Sequence, residues 1–135
     1  MKRVHLSACL LAILACVGLK AQTIMTANIP FDFQLGNNPM PAGAYQIHYA
    51  PGMLVLQNWE ARKSAAVLTL PKERKAAPKT GILSFNRYGD TYFFAGVWAP
   101  NSAFGGTVSK TGPEKELSSR FGSAQPVTVA LNRSR

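Results

Sequence analysis

From residue 29 onward, apolar and polar positions alternate in short runs broken by glycine, proline and asparagine, the pattern of antiparallel strands with one wet face. The first clear run sets Ile29, Phe31, Phe33 and Leu35 against Pro30, Asp32 and Gln34, and it begins as early as Thr23. Gly36-Asn37-Asn38-Pro39-Met40-Pro41-Ala42-Gly43 interrupts it, because prolines and glycines do not continue a central ladder. Ala44 to Ala50 then alternates Tyr45, Ile47 and Tyr49 with Gln46 and His48. Pro51-Gly52 predicts a turn, Met53 to Gln57 a more buried strand, and Gln57 to Lys63 a polar connection. Ser64 to Leu70 reads as a further strand that Pro71 stops.

The strongest local signal is Gly89-Asp90 between Ile82–Tyr88 and Thr91–Trp98, a two-residue connection of the tight-hairpin kind. That loop pairs Phe85 with Phe94 and Arg87 with Tyr92 on one face, and Ile82 with Val97 and Asn86 with Phe93 on the other. Both faces are largely apolar, which places the hairpin centrally in its sheet. Beyond Trp98, Gly105-Gly106 reads as a turn or bulge and Thr107 to Lys110 as a short strand. Thr111 and Glu114 have capping-box spacing ahead of a short helix that Gly122 ends. Gln125 to Leu131 alternates as a last strand before a basic tail at Arg133 and Arg135. The sum predicts a mainly β fold: a compact antiparallel sandwich, roll or barrel of about seven or eight strands, with one short helix near the C-terminus.

The N-terminus differs in kind. Lys2 and Arg3 precede an apolar stretch from Val4 to Leu19, with the small residue Ala21 at a possible cleavage point, which is the layout of a secretory signal peptide. The stretch is shorter than the roughly 20 apolar residues of a bilayer-spanning helix. The expected organisation is therefore a leader over 1–21 and a single β-rich domain over 22–135, exported to the periplasm or beyond and without a transmembrane span. Both cysteines, Cys9 and Cys16, fall in the leader, so packing rather than disulfides must hold the domain. Ile13-Leu14-Ala15-Cys16 also resembles a lipoprotein box, making lipidation at Cys16 the alternative to cleavage after Ala21.

The chain holds 15 Lys+Arg against 6 Asp+Glu, and it stays basic when Lys2, Arg3 and Lys20 leave with the leader. An excess of that sign favours acidic partners. It is concentrated at Lys72, Arg74, Lys75 and Lys79, which are the candidate contacts for an anionic envelope surface or an acidic glycan; no motif for specific nucleic-acid binding accompanies them. Arg87, Tyr92 and Trp98, amid Tyr88, Phe93 and Phe94, are candidates for an aromatic stacking platform, with core packing as the plainer expectation.

Catalytic chemistry has few carriers. Beyond the leader His48 is the one histidine, and a hairpin of 29–35 with 44–50 could set Asp32 beside it as a hydrolase pair. Both residues occupy polar strand phases, so solvated side chains are the expected reading. One histidine, no cysteine beyond the leader and scattered acids supply neither a metal set nor a cofactor site. Glu114 and Glu116 read as first-turn acids favoured by the helix dipole.

IPFDFQLG, PMPAGAYQI, FNRYGDTYFFAGVW and the late EKEL together resemble a family of small exported proteins common in Acidobacteria. The resemblance runs from about Ala27 to Arg120; it implies export and a small β-rich fold, and it brings no catalytic residue, ligand or partner. The function expected is a non-enzymatic binding or structural component of the cell envelope. The alternatives are a small hydrolase using His48 and Asp32, or a lipocalin-like barrel carrying an apolar ligand in a cavity lined by Tyr45, Phe85, Phe94 and Trp98.

Overall fold

The first alternating run does not remain one strand. In a computed structural model, which describes residues 23–133, β1 (Thr23–Ile29) ends at Pro30 and the chain resumes as β2 (Phe33–Leu35) in a different sheet. Pro30 has no N–H to donate, and β1 lies between two strands rather than at a sheet edge, where that loss is less tolerated. The leader, Cys16 and the cleavage point after Ala21 lie outside the described residues.

Then follow β3 (Asn38–Met40), β4 (Gly43–Ala50), β5 (Met53–Asn58), β6 (Lys63–Leu68) and β7 (Leu70–Glu73). The hairpin strands are β8 (Ile82–Tyr88) and β9 (Thr91–Trp98), and β10 (Phe104–Thr107) leads to the helix α1 (Gly112–Phe121). The last strands are β11 (Gln125–Ala130) and β12 (Asn132–Arg133). One sheet has five strands in the order β12-β1-β4-β5-β6; the other has seven, in the order β11-β8-β9-β10-β7, with β2 and β3 attached through β9. Pairing is antiparallel except for the single parallel contact of Gln34 with Phe93. The described strands form a sandwich with no closed barrel. Its strand number exceeds seven or eight because the chain repeatedly splits a run by crossing between sheets.

Those crossings are short. Thr69 alone separates β6 from β7, and Leu131 alone separates β11 from β12; both are buried at the seam. Thr69 donates its N–H to the Gly52 carbonyl at 3.0 Å, and Leu131 to the Gly81 carbonyl at 2.8 Å, so neither crossing leaves its amide unpaired. Pro71 therefore does not stop a strand. It sits in β7, at the edge of the seven-stranded sheet, where a missing N–H is tolerated.

The inner faces close on one apolar core. Met25, Ile29, Ile47, Leu54 and Leu56 from the five-stranded sheet meet Phe33, Leu35, Leu83, Phe85, Phe94 and Val97 from the other. Phe85 is fully buried and meets Phe31, Phe33 and Phe94 edge-to-face, with ring centroids 4.9, 5.3 and 5.6 Å away.

The Gly89-Asp90 hairpin forms with the expected pairs Phe85–Phe94, Asn86–Phe93 and Arg87–Tyr92. Beyond them a bulge leaves Ala95 without a partner, so Ile82 pairs with Trp98 rather than Val97. The extra residue reverses the phase of the strand end. Val97 turns into the core beside Leu83, and Trp98 goes to the outer face. There the indole lies against Gly96 and Gly105: an added Cβ would stand 2.9 Å from its ring at Gly96 and 2.5 Å at Gly105. The glycine pair 105–106 is consequently not a turn but the middle of β10, with β10 itself earlier than the expected 107–110. Side chains are excluded there by Trp98 on one side and Thr69 on the other.

Candidate binding surfaces

The basic segment spans an edge strand and a loop. Lys72 lies on β7; Arg74, Lys75 and Lys79 follow on the connection to β8, and all four are exposed. The Arg74 N–H bonds the Ala103 carbonyl at 2.8 Å, which ties the start of the connection to the end of the sheet. Its guanidinium lies 5.1 Å from the centre of the Trp98 ring, covering the indole. Among the described residues none of the four cations forms an ion pair; the ion pair present is Arg87–Asp90, at 3.8 Å across the hairpin turn. Lysines on an exposed edge also discourage strand addition by another chain.

The aromatic candidates divide. Tyr92 stacks on Phe31 at 3.8 Å between centroids, and Arg87 rests 5.5 Å over Tyr92 while its Nε donates to the Gly89 carbonyl at 2.7 Å. Trp98 lies on the opposite face under Arg74. The three therefore form no common platform, and Trp98 joins the basic segment instead. Tyr45, Phe85 and Phe94 belong to the filled core, so with Trp98 outside it the four line no shared cavity.

Asp32 and His48 are not brought together. Asp32 sits on the exposed crossing between β1 and β2, where its Oδ1 accepts the Ala42 N–H at 2.8 Å. His48 lies along β4, roughly 20 Å from Ala42 at the usual strand rise, on the outer face of the five-stranded sheet. Its Nε2 meets Gln57 Oε1 at 3.2 Å. Asp32 is exposed as expected, but as a turn brace rather than a strand residue. No group of three His, Cys, Asp or Glu side chains positioned for a metal occurs among the described residues, and no described helix is long and apolar enough to cross a membrane.

Glu114 is the buried charged residue among those described, at 4% exposure. Thr111 caps α1 by accepting the Glu114 N–H, half of the expected capping box. The carboxylate does not reach back to the cap. It accepts from Asn86 Nδ2 at 2.9 Å and from the Tyr88 hydroxyl at 3.0 Å, pinning the helix on the outer face of the β8–β9 hairpin. Burial, followed by the adjoining Glu114 carboxylate, pushes the Tyr88 phenol above its ordinary range, and burial does the same for Tyr45 and Tyr49. An acid whose folded pKa is raised stabilises the fold below its unfolded pKa, near 10, and loses that contribution as pH rises through the folded value. Urea unfolding should thus show stability falling with pH above about 10, with a shallower slope for Tyr88→Phe. An identical slope in the variant would mean that Tyr88 does not contribute to the loss of stability.

Trp59 escapes the sequence reading, which treats 57–63 only as a polar connection. It heads the β5–β6 turn with 72% of its surface exposed, and its Nε1 donates to Gln46 Oε1 at 3.1 Å. The turn beneath it is fixed by Asn58, which is 3% exposed and whose Oδ1 accepts the Ala61 N–H at 3.0 Å. Arg62 completes the turn at φ 53°, a left-handed conformation uncommon for a residue with a side chain. The available signal was a tryptophan outside any alternating run, where no core could require it.

No protein-family model, curated protein or solved structure matches the chain.

Proposed function

We propose that this chain is an exported, non-enzymatic domain of the cell envelope that docks through Lys72, Arg74, Lys75 and Lys79 onto an anionic surface, presented by acidic lipid headgroups or by an acidic glycan. The observation that carries the reading is the set of four exposed cations, without ion-pair partners among the described residues, that runs from the edge strand β7 into the connection after it, with Arg74 over Trp98. The signal-like N-terminus supports export. A filled core and the separation of Asp32 from His48 favour a binding role over the carrier and hydrolase alternatives. Attraction by exposed charges reaches about one Debye length, near 8 Å at physiological ionic strength, and weakens with salt.

The test is co-sedimentation with vesicles containing phosphatidylglycerol and, in a separate arm, retention by polygalacturonate. Binding in one arm or both should fall by about an order of magnitude between roughly 50 and 200 mM salt. It should fall further when all four residues become serine, with the melting temperature nearly unchanged because they are exposed. Binding that ignores both salt and the substitutions overturns the assignment, as does no binding in either arm at low salt.

A further inference from the structure

The two outer faces of the sandwich are finished differently. Helix α1 and the Arg74–Trp98 contact cover parts of the seven-stranded sheet. On the five-stranded sheet the outward positions stay open, and one transverse row of them is entirely uncharged and polar. The register aligns Asn132, Thr26, Gln46, Gln57 and Ser64 on β12, β1, β4, β5 and β6. At the usual interstrand spacing this ladder of amides and hydroxyls runs about 19 Å.

Trp59 stands over this row. Its indole is held by Gln46, and Gln57 is held by His48, so the aromatic plane and two ladder amides are already oriented. Beside Trp59 lies an open groove of about 540 Å³ whose lining includes Thr26, Asn28, Gln46 and Asn132. A second groove, of about 430 Å³, flanks the same tryptophan and includes Gln57 and Ser64. The ladder thus continues into both grooves, one on each side of one exposed ring.

We infer that this face binds an uncharged saccharide chain, with Trp59 stacking against a sugar ring and the ladder hydrogen-bonding hydroxyl groups. The negative face of an indole attracts the polarised C–H groups of a pyranose ring, and its rigid plane loses little entropy on contact. Hydroxyl-rich ligands need groups that both donate and accept, which amides and hydroxyls supply and a row of cations or carboxylates would not. The row's lack of charge is what selects an uncharged glycan over an acidic one, in a chain that is otherwise strongly basic. Charge enters the grooves at their turn end, where Glu60 lines one and Arg62 and Lys63 line the other, outside the ladder. Strain at Arg62 and the buried Asn58 brace fit a turn that fixes one side chain in place.

This site is separate from the basic segment and does not depend on its role. The probes are cellohexaose, laminarihexaose and maltohexaose added to the full chain, read by tryptophan emission and acrylamide quenching. Only two tryptophans are present, and Trp98 is buried, so quenching reports chiefly on Trp59. At least one hexasaccharide at millimolar concentration should shift the emission to the blue and protect Trp59 from quenching. Calorimetry should show the affinity falling at least about tenfold in Trp59→Ala and largely retained in Trp59→Phe. Gln57→Ala with Ser64→Ala should weaken every hexasaccharide that binds, since both residues line a groove beside Trp59. Melting temperatures establish that each variant is folded. The inference is overturned if no hexasaccharide changes the emission, if folded Trp59→Ala binds as the unaltered chain does, if polygalacturonate occupies the Trp59 site more tightly than the neutral probes, or if Trp59 proves to mediate self-association instead.

Discussion

Gly105→Ala should cost about 3 kcal/mol or more, a large fraction of the stability of a domain this size. An added Cβ would stand 2.3 Å from the Val97 carbonyl oxygen and 2.5 Å from Trp98 Cδ1 and Nε1. The nearest atom is backbone in the adjoining strand, fixed by the β9–β10 ladder, so the clash is not relieved by a rotamer change. Moving Trp98 would in turn undo its contacts with Gly96 and Arg74. The same addition at Gly52 or Gly112 meets nothing within 4 Å, so Gly112→Ala serves as the control for the change in residue type. Urea unfolding of both variants checks the claim. A Gly105→Ala protein with near-normal stability would mean that Trp98 does not lie across β10 as described.

The second large effect belongs to Phe85→Ala, which should cost roughly 3–5 kcal/mol. Phe85 is the ring that Phe31, Phe33 and Phe94 all meet edge-to-face, and its removal opens a void bounded by both sheets. Neighbours set in rigid ladders cannot collapse fully into that space, so the cavity penalty adds to the lost transfer energy. Phe85→Leu should recover a substantial part of the loss by refilling most of the volume. If Phe85→Ala changed denaturant stability by less than about 1 kcal/mol, the filled core itself would be in doubt, and with it the case against a ligand cavity.

How far the sequence reached depends on the physics of each signal. Alternation is local, so the strands around Tyr45, Leu56, Phe85 and Val129 were legible, as was the hairpin at Gly89-Asp90, whose turn chemistry is carried by two residues. Thr111, Glu114 and Gly122 marked the helix for the same reason. What failed depended on partners distant in sequence. Pro71 reads as a stop when the neighbouring strand is unknown, yet at a sheet edge it is tolerated. Gly105 and Gly106 read as a turn because nothing local announces that Trp98 and Thr69 occupy the space beside them. The bulge at Ala95 has no composition signal, and it alone decides that Trp98 faces outward.

The candidate surfaces divide along the same line. Lys72, Arg74, Lys75 and Lys79 form a run in the sequence, so their grouping was visible without the fold. The row beside Trp59 gathers its members from Thr26 to Asn132, and only the register of five strands makes them neighbours. Asp32 and His48 show the converse: a pairing that polar alternation permits and that the crossing at Pro30 dissolves.

Docking through the basic segment is tested most directly by amide hydrogen exchange of the full chain with and without phosphatidylglycerol vesicles or polygalacturonate at low salt. Peptides covering residues 70–79 should gain protection, with β8 and β9 unchanged. Protection centred on Arg87 and Tyr92 instead, or a bound state with no change across 70–79, would contradict it.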